Sequence, residues 1–428
     1  MRSRVLRRRF ATALGVYVAT ALGFLTTVVA TRELGTGDYA RFVAIVAATG
    51  FLQLLLDLTV EEALVKYGFR YATAQRWGRL RRIFELALAF KLLGGLLAGV
   101  MLAVLAPFIG SIWGVDDVVV PMLVAATIPL LQSPEGVAGG AVILRGRYDV
   151  RGALLAVSMG LRLAGVGIGA FYGLTAAVVG MAAGQALATL VISVVGLAAF
   201  RRFPQVPSEP LGDDGRAVRR FVLASTVASS LVSARATLGT ALMPVVAPIE
   251  QTAYYRNAQA PATGFAALSS PVRLVLLTEQ TRDFEAGRYA QMYAMLRRYI
   301  AGTSTLMLVA APVLWLLMPF LMGVLYGPDF REHASSAARL ILVAAALELI
   351  WGWTKSFPVS IGRPALRIWV QAAEIAIFVP LLLVLASEWG ATGGAAATLV
   401  STVVYCALWG VLLARLRHRH LVPEALPS

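Results

Sequence analysis

Apolar residues in this chain recur in runs of about twenty, the length an α-helix needs to cross about 30 Å of hydrocarbon. The runs follow one another from end to end, and twelve spans are predicted: 11–30, 40–65, 83–106, 118–143, 152–172, 174–200, 218–241, 250–276, 295–322, 334–357, 366–387 and 391–414. Composition agrees. Of 428 residues, 58% are hydrophobic and 14% charged, with a mean hydropathy of +0.75, where a soluble domain is about half apolar and a quarter charged. The expected fold class is an all-α polytopic membrane protein with twelve transmembrane helices.

The net charge of +15 is a matter of placement. Lys and Arg crowd into "RSRVLRRR", "KYGFRYATAQRWGRLRR", "RGRYDVR", "RRFPQVPSEPLGDDGRAVRR", "TRDFEAGRYAQMYAMLRR" and the tail "RLRHRH", while the alternate connections carry few cations. That asymmetry is the positive-inside rule, with both termini cytoplasmic in an inner membrane. Nucleic acid is not an expected partner, whereas anionic membrane lipid is. The basic start and first apolar run are read as an uncleaved first helix rather than a signal peptide. One cysteine, Cys406, excludes an internal disulfide, and three histidines offer no metal site. No G-x-x-x-x-G-K-[ST] occurs, and "GWTKS" at 352–356 lacks its glycine and strand context. No cofactor is expected.

The chain also repeats. At an offset of about 214, half the length, "YARFVAIVAATGF" (39–51) meets "YYRNAQAPATGF" (254–265), and "APFIGSIWGVDD" (106–117) meets "MPFLMGVLYGPDF" (318–330). "GRYDVR" (146–151) meets "GRPALR" (362–367), and "GLT" (173–175) meets "GAT" (390–392). Six spans per half make the halves parallel repeats, an arrangement that places a substrate site between two lobes. The expected division is an N-terminal lobe, 1–200, a cytoplasmic linker, 201–217, and a C-terminal lobe with a basic tail, 218–428.

The stretch "LGTGDYARFVAIVAATGFLQLLLDLTVEEALVKY", with L-G-x-x-[DE]-Y after the first span, resembles the N-terminal signature of polysaccharide transporters. These are the O-antigen and lipid-linked oligosaccharide flippases of the multidrug/oligosaccharidyl-lipid/polysaccharide (MOP) exporter superfamily. The "P-F…YG-x-D-F" stretch and the "GR" ends of spans four and ten are similar to the same group. The resemblance implies two pseudo-symmetric six-helix lobes alternating access around a central cavity. It implies a polyprenyl-diphosphate-linked oligosaccharide as cargo, carried to the outer leaflet for surface polysaccharide such as lipopolysaccharide, with other polysaccharide-assembly proteins as partners and no enzymatic step. The family's D-x-G near the end of span two is Asp57-Leu58-Thr59 here. Span one lacks the acid common in the multidrug branch.

Polar residues inside the spans are the candidate site. On a 3.6-residue helix, Thr252, Arg256, Gln259, Thr263 and Ser270 of span eight fall within about 60° of one another. An arginine there costs about 2.5–3.5 kcal/mol on insertion scales, which points to a water-filled cleft rather than to helix packing alone. Arg41 holds the matching repeat position, either as a cavity cation or as an interfacial one paired with Asp38. In span seven, Thr226, Ser230, Ser233, Thr237 and Thr240 form a narrow seam opposite Arg235. Either the seam packs and Arg235 faces the cavity, or the reverse. Asp57, Glu135, Glu348 and Glu374 could partner arginines or couple an ion. Lys91, about 12 Å into span three at 1.5 Å per residue, is expected to snorkel. Glu62 and Lys66 are expected to pair one turn apart. The pairs Gly95/Gly99 and Gly180/Gly184 are expected to admit close helix approach.

Arginine suits a diphosphate cargo: it stays charged and offers phosphate a planar fork of donors. A cationic-drug antiporter would want acids in those places. A membrane polymerase or ligase would need larger outer loops than these, and a duplicated fold without transport is a further alternative.

Overall fold

The computed structural model describes residues 2–56, 60–363 and 365–421. Among these residues every regular element is helical and no strand occurs. Helix α1 (Arg2–Leu56) carries the first span and most of the second, broken at Gly35. Helix α2 (Val60–Thr73) finishes the second span, and α3 (Trp77–Trp113) is the third. A 3-10 turn (Asp116–Val118), α4 (Val119–Ala125) and α5 (Ile128–Leu144) make the fourth. The fifth and sixth are α6 (Tyr148–Ala170) and α7 (Leu174–Phe200). Span seven is α8 (Asp214–Val246), and span eight is divided into α9 (Ile249–Ala258) and α10 (Ala260–Glu285). Span nine is α11 (Tyr289–Tyr326), followed by the short connecting helix α12 (Pro328–His333). Span ten is α13 (Ser335–Ile350), a 3-10 turn (Gly352–Lys355) and α14 (Phe357–Ser360). Helix α15 (Ala365–Leu421), broken at Gly390, carries the last two spans. The chain is thus an all-α, twelve-span membrane protein.

Its surface is that of a protein solvated by lipid. Leu308 and Leu316 of α11 are each 76% exposed, whereas small and polar residues such as Ala30, Ser401 and Thr402 are fully buried. A soluble fold hides its large apolar side chains; here they face outward and the helices keep their backbone bonds to themselves. Close packing uses glycine. A Cβ on Gly165 or Gly180 would run into the other's carbonyl, which draws α6 onto α7. Gly184 meets the Leu161 carbonyl, and Gly95 and Gly99 meet the Pro129 and Ala126 carbonyls. Both expected glycine pairs sit at such crossings.

The duplication is visible in the turns. Gly146 and Gly362 have φ of 68° and 69°, and the arginine after each donates its N–H five residues back, Arg147 to Val142 and Arg363 to Pro358. Gly173 and Gly390, of the matched "GLT" and "GAT", both have positive φ, as do Gly114 and Gly327. The α2–α3 turn and the α10–α11 turn agree too: Gln75 (φ 55°) matches Gly287 (φ 68°), and Arg76 and Arg288 donate back to Tyr71 and Asp283. Backbone conformations that L-residues rarely adopt therefore recur at corresponding places in both halves.

Packing divides the chain into two compact units, Met1–Ala241 and Leu242–Ser428. The division expected from sequence fell at the 201–217 linker instead, which left span seven with the second lobe. That linker is bonded to the first unit. Asp214 sits 3.4 Å from Arg70 and 3.2 Å from Arg79, and accepts a hydrogen bond from Tyr71 at 3.3 Å. Burial, together with the Asp214 carboxylate, pushes the Tyr71 phenol above its ordinary pKa. Glu209 N–H donates to the Gly78 carbonyl, Ser208 donates to Glu85 at 2.8 Å, and Leu211 is buried among Tyr67, Phe84 and Phe203.

Two expectations about cations are corrected. Lys91 does not snorkel: its side chain is 8% exposed and pairs with Glu61 of α2 at 2.8 Å, so a nearby carboxylate replaces the interface as its partner. Glu62 accepts a hydrogen bond from Ser225, and Lys66 lies over the Phe221 ring at 4.1 Å. Each contacts α8 across the unit.

Candidate functional site

Span eight is broken because its sequence interrupts it. Pro248 caps α9, and Gln259 with Pro261 behind it ends α9 and opens α10. Three sides of α9 are held. Gln251 accepts a hydrogen bond from Ala391 N–H at 2.8 Å, covering the break at Gly390. Tyr255 shares a 3.0 Å hydrogen bond with Thr398. Tyr254 donates to Asp329 at 2.9 Å and stacks on His333, centroids 5.2 Å apart, while His333 Nδ1 lies 3.1 Å from the Asp329 carboxylate. The helix end therefore stands clamped between α12 and α15, with Arg256 on the side left exposed.

The expected stripe divides at this break. Arg256 Nη1 donates to Gln259 Oε1 at 3.3 Å, Thr263 donates to the Gln259 carbonyl, and both Arg256 and Thr263 are exposed. Thr252, one turn before Arg256, is instead fully buried and its hydroxyl has no hydrogen-bond partner. The side chains of Ser270 and of Ser233 in the span-seven seam lie outside the described residues. Arg41 pairs with Asp38, as one of its two readings had it, and also with Asp117: Nη1 is 3.0 Å from Asp38 and 2.8 Å from Asp117 of the turn after α3. Arg235 is half-buried on α8.

The spans' other charges are mostly matched. Arg162 of α6 lies 3.3 Å from Glu135 of α5, and Gln185 of α7 donates to the same carboxylate at 3.1 Å and to Thr189 at 2.8 Å. Arg256 differs. Among the described residues no carboxylate lies within ion-pair distance of it, while Arg41, Lys91 and Arg162 each have one or two.

A second polar cluster, in the second unit, escaped the sequence reading apart from its acids. Thr354 of the 3-10 turn shares a 2.7 Å hydrogen bond with Tyr405, and Ser356 donates to Gln280 at 3.2 Å. Gln280 is fully buried with its amide nitrogen unsatisfied. Glu374 is 3% exposed and accepts from Gln371 at 2.5 Å, and both Glu374 and Glu348 act electrostatically on Tyr405. The signal for this cluster was the glycine- and proline-interrupted "GWTKSFPVS", since broken spans mark polar sites in transporters. Asp57 lies outside the described residues. No group of metal ligands occurs among the described residues.

Residues 5–273 match the model of a family described as polysaccharide biosynthesis protein. The chain belongs to that family. No curated protein matches it by sequence. Among solved structures, this family member is similar to an inward-facing multidrug resistance MATE family transporter of the MOP superfamily, with TM-score 0.73 and 14% identity over 95% of this chain and 99% of that one. It is similar to the lipid II flippase MurJ in an inward closed conformation, with TM-score 0.70 and 10% identity over 94% and 87%. A MOP superfamily transporter from Pyrococcus furiosus, whose structure is described as having a binding pocket of reversed polarity, aligns with TM-score 0.58 and 13% identity over 97% and 96%. The fold of this family member is therefore that of the MOP transporters.

Proposed function

We propose that this protein is a flippase that moves a polyprenyl-diphosphate-linked oligosaccharide from the cytoplasmic to the outer leaflet of the inner membrane by alternating access. Both termini are cytoplasmic in this reading, and the cargo serves surface polysaccharides of the O-antigen kind. Arg256 is the residue that takes the diphosphate, assisted by Gln259 and Thr263. The observation that carries the reading is the exposed Arg256 on a broken span, with no carboxylate within ion-pair distance among the described residues. An exposed cation so placed is suited to an anion that arrives and leaves. Arg41, which also has two carboxylates beside it, and less directly Arg235 remain proposed cavity residues sharing that work. Glu374 and Glu348, with Tyr405 beside them, are the groups proposed to bind a coupling ion.

Membership in a polysaccharide biosynthesis family and likeness to a lipid II flippase favour a lipid-linked cargo over a drug. The solved neighbours named above are transporters and a flippase, which weighs against a polymerase or ligase. The test is export in a cell lacking the chromosomal copy. Arg256→Ala should abolish surface glycan while the protein still inserts and purifies as a monodisperse species. Arg256→Lys should rescue only in part, because a point charge replaces a bidentate fork. Normal export by Arg256→Ala would remove the arginine from the mechanism.

A further inference from the structure

At the cation-rich end of the first unit, the α5–α6 turn and the end of α7 enclose a hollow of about 240 Å³. Arg145, Arg147 and Arg202 line it, and the rest of its wall is aliphatic, chiefly Val142, Val150 and Val195. Gathering three guanidinium groups around one space is unfavourable unless negative charge answers them. Asp149 answers one: Arg147 donates to its two oxygens at 3.2 and 3.4 Å. Two positive charges remain in surplus.

Two of the arginines are held in place. Arg145 Nη1 donates to the Arg202 carbonyl at 3.4 Å, and its guanidinium lies over the Phe203 ring at 5.2 Å, tying the α5–α6 turn to the end of α7. Arg147 leaves the left-handed turn at Gly146. Farther along the helix, α7 exposes the large apolar side chains Val194 and Leu190. A charged mouth over an aliphatic wall, on a helix whose other faces are apolar and exposed, is the profile of a site for a lipid with an anionic head.

We propose that this hollow binds the phosphate headgroup of an anionic phospholipid, with the acyl chains running along α7. Arginine forks match phosphate oxygens, and the valines cover the glycerol and first methylenes. Small-molecule pockets usually run about 300–1,000 Å³, so a space of this size suits a headgroup rather than a sugar-bearing diphosphate. The site needs only a bilayer around the chain and does not depend on which cargo the protein moves.

The full-length protein is reconstituted in nanodiscs of phosphatidylcholine with a minority of phosphatidylglycerol, and native mass spectrometry counts the phosphatidylglycerol retained after mild delipidation. The R145A/R147A/R202A triple variant is compared with R216A/R219A/R220A, which removes equal charge from exposed positions of α8 in the same unit. Losing charge-assisted phosphate bonds should lower retention about tenfold or more in the first triple and little in the second. Equal losses in both would show diffuse attraction and overturn the site, as would unchanged retention in the first. In discs that also contain a polyprenyl diphosphate, selective retention of that lipid overturns the assignment to a bilayer phospholipid. Should the first triple fail to fold, Arg202→Gln alone, at an exposed side chain, must still lower retention, and normal retention there refutes the proposal.

Discussion

Glu135 is 10% exposed at its side chain, 3.3 Å from Arg162, and takes a further hydrogen bond from Gln185. At that separation and an effective dielectric of about 20, the attraction is about 5 kcal/mol. It is set against a desolvation penalty of several kcal/mol for each ion, so the pair as a whole is near balance. Half of the pair is not. Glu135→Leu leaves Arg162, 18% exposed, with no other carboxylate at ion-pair distance among the described residues, and should cost about 3–5 kcal/mol. At about 2–4 °C per kcal/mol for a body of 150–250 residues, the melting temperature should fall by roughly 6–20 °C. The Glu135→Leu/Arg162→Leu double variant should return to within about 3 °C of the wild type, since apolar replacement of both ions is near neutral. The assay is thermal melting of the detergent-purified protein, followed by loss of its monodisperse chromatographic peak. A single variant that melts like the wild type, or a double that melts as low as the single, would refute the ion-pair reasoning and return Glu135 to the coupling candidates.

Gln251→Ala removes the acceptor that covers Ala391 N–H at the Gly390 break; an orphaned buried amide costs about 1–3 kcal/mol, and hydrogen exchange across residues 388–394 should quicken. Tyr71 binds its proton more tightly when folded than its ordinary value near 10 implies. Its contribution is therefore fully present below about pH 10 and lost as pH rises through the elevated value, so the melting-temperature difference between wild type and Tyr71→Phe should shrink above pH 10. Single cysteines labelled from outside should stay silent in 66–82, 201–217 and 277–294 and react in 111–117 and 326–332; the opposite pattern would overturn the orientation.

Element identity was legible because a membrane span advertises itself in composition and length, and the turn residues Gly146, Gly173, Gly362 and Gly390, all of positive φ, match one another in sequence alone. Partners across helices were not legible. Asp117 for Arg41 and Glu61 for Lys91 lie on other elements, and periodicity sees one helix at a time. The stripe of Thr252, Arg256 and Thr263 assumed an unbroken helix; the break at Gln259 and the clamping of α9 by Asp329, Thr398 and Ala391 leave Thr252 inside and Arg256 outside. The polar cluster at Thr354, Gln280 and Tyr405 draws on three distant spans, and only the broken "GWTKSFPVS" hinted at it.

Transport of a lipid-linked diphosphate can be watched in proteoliposomes holding only the purified protein. A fluorescent sugar on a polyprenyl diphosphate is loaded in one leaflet, and its appearance in the other is timed by quenching with a membrane-impermeant reductant. The expected result is protein-dependent flipping that Arg256→Ala eliminates, with no uptake of cationic dye by the same vesicles. Dye uptake driven by an ion gradient, without movement of the lipid-linked sugar, would make the protein a drug antiporter and not a flippase.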